Sequence, residues 1–115
     1  MNKFSDFPTE TINNVFIINI NFTRATLKEA ELFNKMLNNA MKEGKNQIII
    51  DMHQVEFIDS TFLGVLVVNL KNSILTKGRI MLVGLSPSVN TVVLHANLSR
   101  TFEIFSSRED ALKHI

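Results

Sequence analysis

Cysteine is absent from the 115-residue chain, and its absence excludes disulfide bonds, thiol catalysis and cysteine-based zinc sites together. A chain without cysteine fits a reducing compartment. The N-terminal sequence MNKFSDFPTE is polar and acidic, unlike a secretory signal. No apolar run reaches the roughly 18 residues that a membrane span needs. These absences predict a soluble, cytoplasmic protein without a membrane span.

An excess of charge of one sign is also lacking. Lys and Arg number 12 and Asp and Glu number 11, which leaves a net charge of +1. The basic residues are scattered, whereas nucleic-acid-binding domains cluster them on one face, so we expect no nucleic-acid partner. Hydrophobic residues make up 45% of the chain, which is typical of a globular protein. The length suits a single domain over residues 1–115.

Strand and helix patterns alternate along the chain. Strands are predicted at 15–21, 47–52, 79–84 and 101–105, after a weakly ordered lead-in or edge strand at 1–14. Helices are predicted from Thr26 to Gly44, from Ser60 to Lys77, from Ser86 to about residue 96, and after a capping box of Ser106 with Glu109. Three consecutive isoleucines in 47–52 indicate a central strand buried on both faces. The alternation predicts an α/β domain with a mixed, largely parallel sheet.

Catalytic constellations are not apparent in the sequence. The three histidines, His53, His95 and His114, lie far apart and none has a second ligand at metal spacing, so no metal site is predicted. Glycine-rich phosphate loops and the G-x-S-x-G motif are absent. Asp51 ends a strand, as the phosphoacceptor of a response regulator does. However, such sites need an acidic pair after the first strand, where this chain has Asn-Phe-Thr at 21–23. We therefore predict neither enzymatic activity nor a cofactor.

The stretch EFIDSTFLGVLVV, residues 56–68, places an acid and two hydroxyls directly before an apolar run. Ser60 follows a buried strand and a short loop, and it begins a predicted helix. Ligand and partner sites of α/β sheets gather at the carboxyl ends of strands, and a helix N-terminus stabilises a phosphate. Ser60 is therefore suited to carry a phosphoryl group. A simple N-cap at Asp59 or Ser60 explains the same pattern.

The sequence VEFIDSTFLGVLVVNLK resembles the signature of STAS domains, especially that of bacterial anti-sigma factor antagonists. That signature is an apolar loop, then Asp-Ser-[Ser/Thr]-Gly-Leu-Gly, then an apolar helix. Asp59, Ser60, Thr61, Leu63 and Gly64 match it in place. The order and lengths of the elements also agree from residue 15 to the end, so the resemblance implies a STAS fold over nearly the whole chain.

The resemblance also implies a function in the regulation of transcription. In such antagonists the serine after the aspartate is phosphorylated by a partner anti-sigma factor, which is itself a serine kinase. The unphosphorylated form binds that kinase and frees the sigma factor, and a serine phosphatase resets the cycle. By position the phosphoacceptor is Ser60. Phosphorylation adds about −1.5 to −2 charge beside Asp59, and the resulting repulsion and desolvation would oppose docking.

Further partner contacts are implied around Ser60. Asp59 and Thr61 flank it, and Phe62 stands where the family usually has glycine, so its ring must either pack inward or face the partner. The family often has Gly-Glu-[Ile/Leu]-Asp after the first strand, near the partner surface. Backward alignment from Asp59 places FTRA, residues 22–25, at that position. Thr23 and Arg24 are therefore candidates for a polar rim of the partner surface.

Two other functions are also compatible with the sequence. One is a STAS adaptor subunit, without a phosphorylation cycle, in a signalling scaffold or a lipid-transport complex. The other is a small α/β enzyme or a phosphorelay receiver. Phosphoserine would favour the switch protein, no phosphate the adaptor, and an acid-labile acyl phosphate the receiver. Because the charge is balanced and no long apolar face is expected after the helices pack, we predict a monomer when free.

Overall fold

A computed structural model describes residues 6–115, whose main feature is a five-stranded sheet. The strands in the described residues are β1 (Thr9–Ile12), β2 (Val15–Asn19), β3 (Arg24–Ala25), β4 (Gln47–Asp51), β5 (Phe57–Ile58), β6 (Arg79–Val83) and β7 (Glu103–Phe105). The helices are α1 (Leu27–Lys42), α2 (Ser60–Leu75), α3 (Pro87–His95) and α4 (Arg108–Lys113).

The five-stranded sheet has the order β1-β2-β4-β6-β7. β1 is antiparallel to β2, and the other neighbours are parallel. Asn13 and Asn14 join the first two strands with φ angles of 52° and 67°, the left-handed conformation that a tight hairpin requires. The α/β class with a mixed, largely parallel sheet is confirmed. Within the lead-in, 9–12 is the edge strand, and 1–5 lie outside the described residues.

Helices cover both faces of this sheet, which places its central strand in the interior. Ile48, Ile49 and Ile50 of β4 are all fully buried, as the isoleucine run predicts. Successive strand residues point to opposite faces. Ile48 and Ile50 therefore pack in the cluster with residues of α1, α2 and α3, whereas Ile49 packs in the cluster that contains Ala111 of α4.

Two of the predicted helix starts are confirmed in detail. Thr26 caps α1 in a reciprocal capping box, in which the Glu29 side chain accepts from the Thr26 backbone N–H at 2.9 Å. Ser86 caps α3, its side chain accepts from the Val89 N–H, and Pro87 is the first helical residue. These contacts fix where each helix leaves the carboxyl edge of the sheet.

Two predicted helix boundaries are wrong. α2 ends at Leu75 and not at Lys77, because Lys77 adopts a left-handed φ of 61°. The N-cap of α4 is Ser107, which accepts from the Asp110 N–H, so the predicted box of Ser106 with Glu109 is off by one residue. Ser106 bonds to the Asp110 carboxylate instead.

The outward side of α2 keeps several apolar side chains exposed. α2 leaves Val68, Ile74 and Leu75 exposed, and Leu75 retains 81% of its accessible surface. Because the exposed Lys71 separates Val68 from Leu75, these side chains do not form one long apolar face. The monomeric state stays a prediction.

Candidate functional site

Asp59 connects the first turns of α1 and α2. Its Oδ1 accepts from the Phe62 N–H at 2.8 Å, which makes Asp59 and not Ser60 the N-cap of α2. Its Oδ2 accepts from the Leu27 N–H, the first residue of α1, at 2.9 Å. The Asp59 N–H donates to the Ala25 carbonyl at 3.0 Å. Both carboxylate oxygens thus bind backbone donors that the helix starts would otherwise leave unpaired.

Ser60 and Thr61 are the first two residues of α2, and both are exposed. The carboxylate beside them is already engaged by two N–H groups, so the hydroxyls lie next to a rigid, capped helix start. The N-terminus of a helix of this length carries a partial positive charge that favours an anion. A phosphoryl group on Ser60 is therefore compatible with the helix, as the sequence predicts.

A second small sheet positions Thr23 and Arg24 beside the strand that precedes Asp59. β3 pairs in parallel with β5, with Arg24 opposite Phe57. The Thr23 carbonyl accepts from the N–H groups of Glu56 and Phe57 at 2.8 and 3.1 Å. The two residues predicted as a polar rim therefore flank β5, which leads directly into Asp59, and both are exposed.

Two apolar side chains beside this site were missed in the sequence. The Phe57 ring is 42% exposed, and the Arg24 guanidinium carbon lies 4.3 Å from its centroid. Leu27 is 66% exposed and adjoins Asp59 through the hydrogen bond to its N–H. Leu27 shares the three- and four-residue spacing of the buried face of α1, but at the first helical position it stays exposed. Phe57 lies in a two-residue strand, which is too short to show a periodic pattern.

Phe62 does not belong to this surface, which corrects its prediction as a partner contact. The ring is fully buried and stacks on Phe33 of α1, with centroids 4.7 Å apart and planes 15° apart. Phe33 stacks in turn on Phe7 at 5.4 Å. Of the two orientations that the sequence allows, the ring takes the inward one.

Asp51 ends β4, but its carboxylate is engaged on both oxygens. Oδ1 accepts from the His53 N–H at 3.1 Å and contacts the His53 Nδ1 at 2.7 Å. Oδ2 pairs with the Arg108 Nη2 at 3.2 Å, and Arg108 also bonds to Glu10 and Asn19. Arg108 thus ties α4 to three strands of the sheet. The arrangement is that of a structural ion-pair network, and it argues against a free phosphoacceptor at Asp51.

Burial raises the pKa of the Asp51 carboxyl, but the His53 hydrogen bonds and the Arg108 pair outweigh burial and hold that pKa below its usual value. The ionised carboxylate therefore contributes stability above the ordinary pKa of about 3.9, and this contribution is lost as the pH falls below it. At pH 7 we expect Asp51→Asn to lower the free energy of unfolding by about 1–3 kcal/mol.

The difference in unfolding free energy between wild type and Asp51→Asn should shrink as the pH falls from 6 to 3. Urea titrations at several pH values measure it. Glu31→Gln is the control, because Glu31 makes only an exposed pair with Lys35 of little energetic value. A wild-type minus Asp51→Asn difference that is constant over this pH range would contradict the assigned ionisation.

Groups of metal-binding side chains and membrane-crossing helices were also sought in residues 6–115. No group of three or more His, Cys, Asp or Glu in that range could hold a metal ion. None of the helices described there has the length and apolar character that a membrane crossing needs.

Asp59 caps the helix that begins with Ser60, beside a short parallel strand pair. A family model matches residues 6–111 of this chain, and it is that of the STAS domain. The chain belongs to the STAS domain family. As a STAS domain it is 31% identical to a Thermotoga neapolitana protein provisionally named an anti-sigma factor antagonist, over 95% of this chain and 96% of that protein.

Two solved structures share the fold. A crystal structure of a Thermotoga maritima protein with the same provisional name superposes with a TM-score of 0.90, at 30% identity, over 95% of this chain and 93% of that chain. The Bacillus protein SpoIIAA in its phosphorylated form superposes with a TM-score of 0.75, at 19% identity, over 95% of this chain and 99% of that chain. The second match concerns the fold alone.

Proposed function

We propose that this STAS domain is a cytoplasmic switch protein of the anti-sigma factor antagonist type. Its unphosphorylated form binds an anti-sigma factor that is also a serine kinase, and phosphorylation of Ser60 releases that partner. A serine phosphatase restores the binding form. The observation that carries the proposal is an exposed Ser60 at the first position of α2, directly after a fully engaged Asp59.

The surface around Ser60 supports this proposal. Thr23 and Arg24 flank β5, the strand that leads into Asp59, Ser60 and Thr61. Exposed Phe57 and Leu27 add apolar area, and aromatic and apolar side chains inside a polar rim are the usual composition of a protein–protein interface. The proposed contact surface therefore comprises these residues without Phe62. The relatives that carry the anti-sigma factor antagonist name favour an anti-sigma factor as the partner.

The switch needs only a local change of charge. A phosphoserine carries about −1.5 to −2 charge, and the start of α2 can accommodate it. A partner surface fitted to a neutral hydroxyl would meet that charge and the Asp59 carboxylate together. Desolvation of these groups and repulsion between like charges would then make the free energy of binding less favourable. Release therefore requires no rearrangement of the sheet.

Ser60 rather than Thr61 is the proposed phosphoacceptor. Successive helical residues point about 100° apart, so the two hydroxyls cannot reach the same kinase group. The branched Thr61 side chain is also held more stiffly. After incubation with ATP and a lysate of the source cells, we expect mass spectrometry to find phosphate on Ser60 in the wild type and in Thr61→Ala, and none in Ser60→Ala.

Other results of this mapping would reject the proposal in distinct ways. Phosphate on Thr61 alone would contradict the assignment of Ser60. A chain that binds a partner and acquires no phosphate would be a constitutive STAS adaptor. Acid-labile phosphate on Asp51 would identify a phosphorelay receiver, against the engaged state of that carboxylate.

A further inference from the structure

α2 is apolar on both sides, unlike the other long helix. Phe62, Leu66 and Leu70 point into the core. The opposite side, here named the outer face of α2, follows three- and four-residue spacing and comprises Thr61, Gly64, Val68, Lys71 and Leu75. Val68 is 55% exposed and Leu75 is 81% exposed. Exposed apolar side chains that share one side of a helix mark a candidate contact surface, so the outer face has the character of a contact surface.

Gly64 lies in the middle of the outer face, and the fold does not require a glycine there. A Cβ at Gly64 would meet no atom within 4 Å apart from its chain neighbours and nearby helix backbone, whereas one at Gly78 would come within 2.7 Å of the Ser73 hydroxyl. Glycine destabilises a helix interior relative to alanine. The missing side chain at Gly64 therefore brings no internal benefit, and it opens the α2 backbone to close approach from outside.

The charged side chains on the outer face and just beyond its C-terminal end are basic. Lys71, on the outer face itself, and Lys77, just beyond α2, are exposed. A surface of this kind is complementary to an apolar patch rimmed by acidic residues.

We propose that the outer face of α2 docks a heterologous protein that presents an apolar patch with an acidic rim and whose main chain packs against Gly64. The inference rests on the proposed function, since this partner is the anti-sigma factor that Ser60 controls. Ser60 and Thr61 lie at one end of the outer face. A phosphate on Ser60 would therefore meet the acidic rim of the partner. The repulsion between these like charges would favour release of the phosphorylated form.

A second copy of this chain fits the outer face less well. A two-fold dimer places the same patch on both sides of the interface, so a patch whose one charged side chain is Lys71 would face an identical patch that offers no carboxylate to pair it. Juxtaposed like charges disfavour association. The occupant is therefore a different protein of opposite charge.

The test uses the protein that the unphosphorylated wild-type chain retains from a lysate of its source cells, purified and titrated against variants by calorimetry. We expect Gly64→Ala to raise Tm by a few degrees and to weaken binding at least tenfold. Val68→Glu should weaken binding more than Val68→Lys, because the partner rim is acidic. Lys35→Ala on the exposed side of α1 should leave the affinity unchanged.

Each outcome bears on the docking surface or on the switch. Wild-type affinity in Gly64→Ala overturns the docking surface, and it leaves the proposed function intact if phosphorylation of Ser60 still abolishes binding. Binding that depends on Gly64 but not on Ser60 phosphorylation keeps the docking surface and rejects the switch. Retention of no protein, or a dimer in sedimentation that Gly64→Ala disrupts, overturns the heterologous partner.

Discussion

Phe62→Ala is expected to lower the free energy of unfolding by about 3–5 kcal/mol. The ring is fully buried between α1 and the sheet, and it stacks on Phe33 at 4.7 Å. Its removal leaves a cavity at the start of α2 that the rigid, capped first turn cannot close by collapse. Since a domain of this size is stabilised by only about 5–15 kcal/mol, a large part of that stability should disappear.

Urea denaturation followed by circular dichroism measures this effect. Thr61→Ala, one residue earlier and exposed, is the matched control and should remain within about 0.5 kcal/mol of wild type. Phe62→Leu, which retains apolar volume, should lose less than Phe62→Ala. If Phe62→Ala were as stable as Thr61→Ala but failed to bind the partner, the ring would belong to the interface after all.

The inward orientation of Phe62 explains how this chain departs from the STAS signature at one position without changing the proposed contact surface. The residue after the two hydroxyls points at α1, so a ring in place of the usual glycine enlarges the aromatic stack of Phe33 and Phe7. The partner would meet Ser60, Thr61 and the β3–β5 pair as before. The departure is thus a matter of core packing.

Ser60→Asp is expected to weaken partner binding at least tenfold, whereas Ser60→Ala should bind like wild type. Alanine keeps the neutral contact surface and removes only the hydroxyl. Aspartate places a charge next to Asp59, and like charges brought together in an interface cost several kcal/mol. A tenfold loss corresponds to about 1.4 kcal/mol, so aspartate, with one charge, should act less strongly than phosphoserine.

Calorimetric titration of the purified partner with each variant tests this order. Thr61→Asp is the matched control, because it adds the same charge one helical residue away. A Ser60→Asp affinity equal to that of Ser60→Ala would mean that charge at this position does not control docking. An equal loss for Thr61→Asp and Ser60→Asp would show an effect of charge on the whole patch and not of Ser60.

Long periodic segments made the sheet and its helices predictable from the sequence. The isoleucines of β4 indicate burial on both faces, and the caps at Thr26 and Ser86 fix two helix starts, all as found. The motif around Asp59 indicates the site, because its residue types and spacing recur in the STAS signature.

The interior of the site could not be predicted, because its contacts join distant segments. β3 and β5 have two residues each, too few for any periodicity. The bond from the Leu27 N–H to Asp59 spans 32 residues, and the stacking of Arg24 on Phe57 depends on the β3–β5 register. The direction of the Phe62 ring likewise depends on the position of α1.

The most direct test of the account compares one partner with two forms of the same chain. The anti-sigma factor is titrated against the unmodified domain and against the domain phosphorylated on Ser60 by its kinase and separated by ion exchange. We predict that the phosphorylated form binds about 100-fold more weakly or not at all, because its added charge opposes docking. Equal affinities for the two forms would contradict the phosphorylation switch.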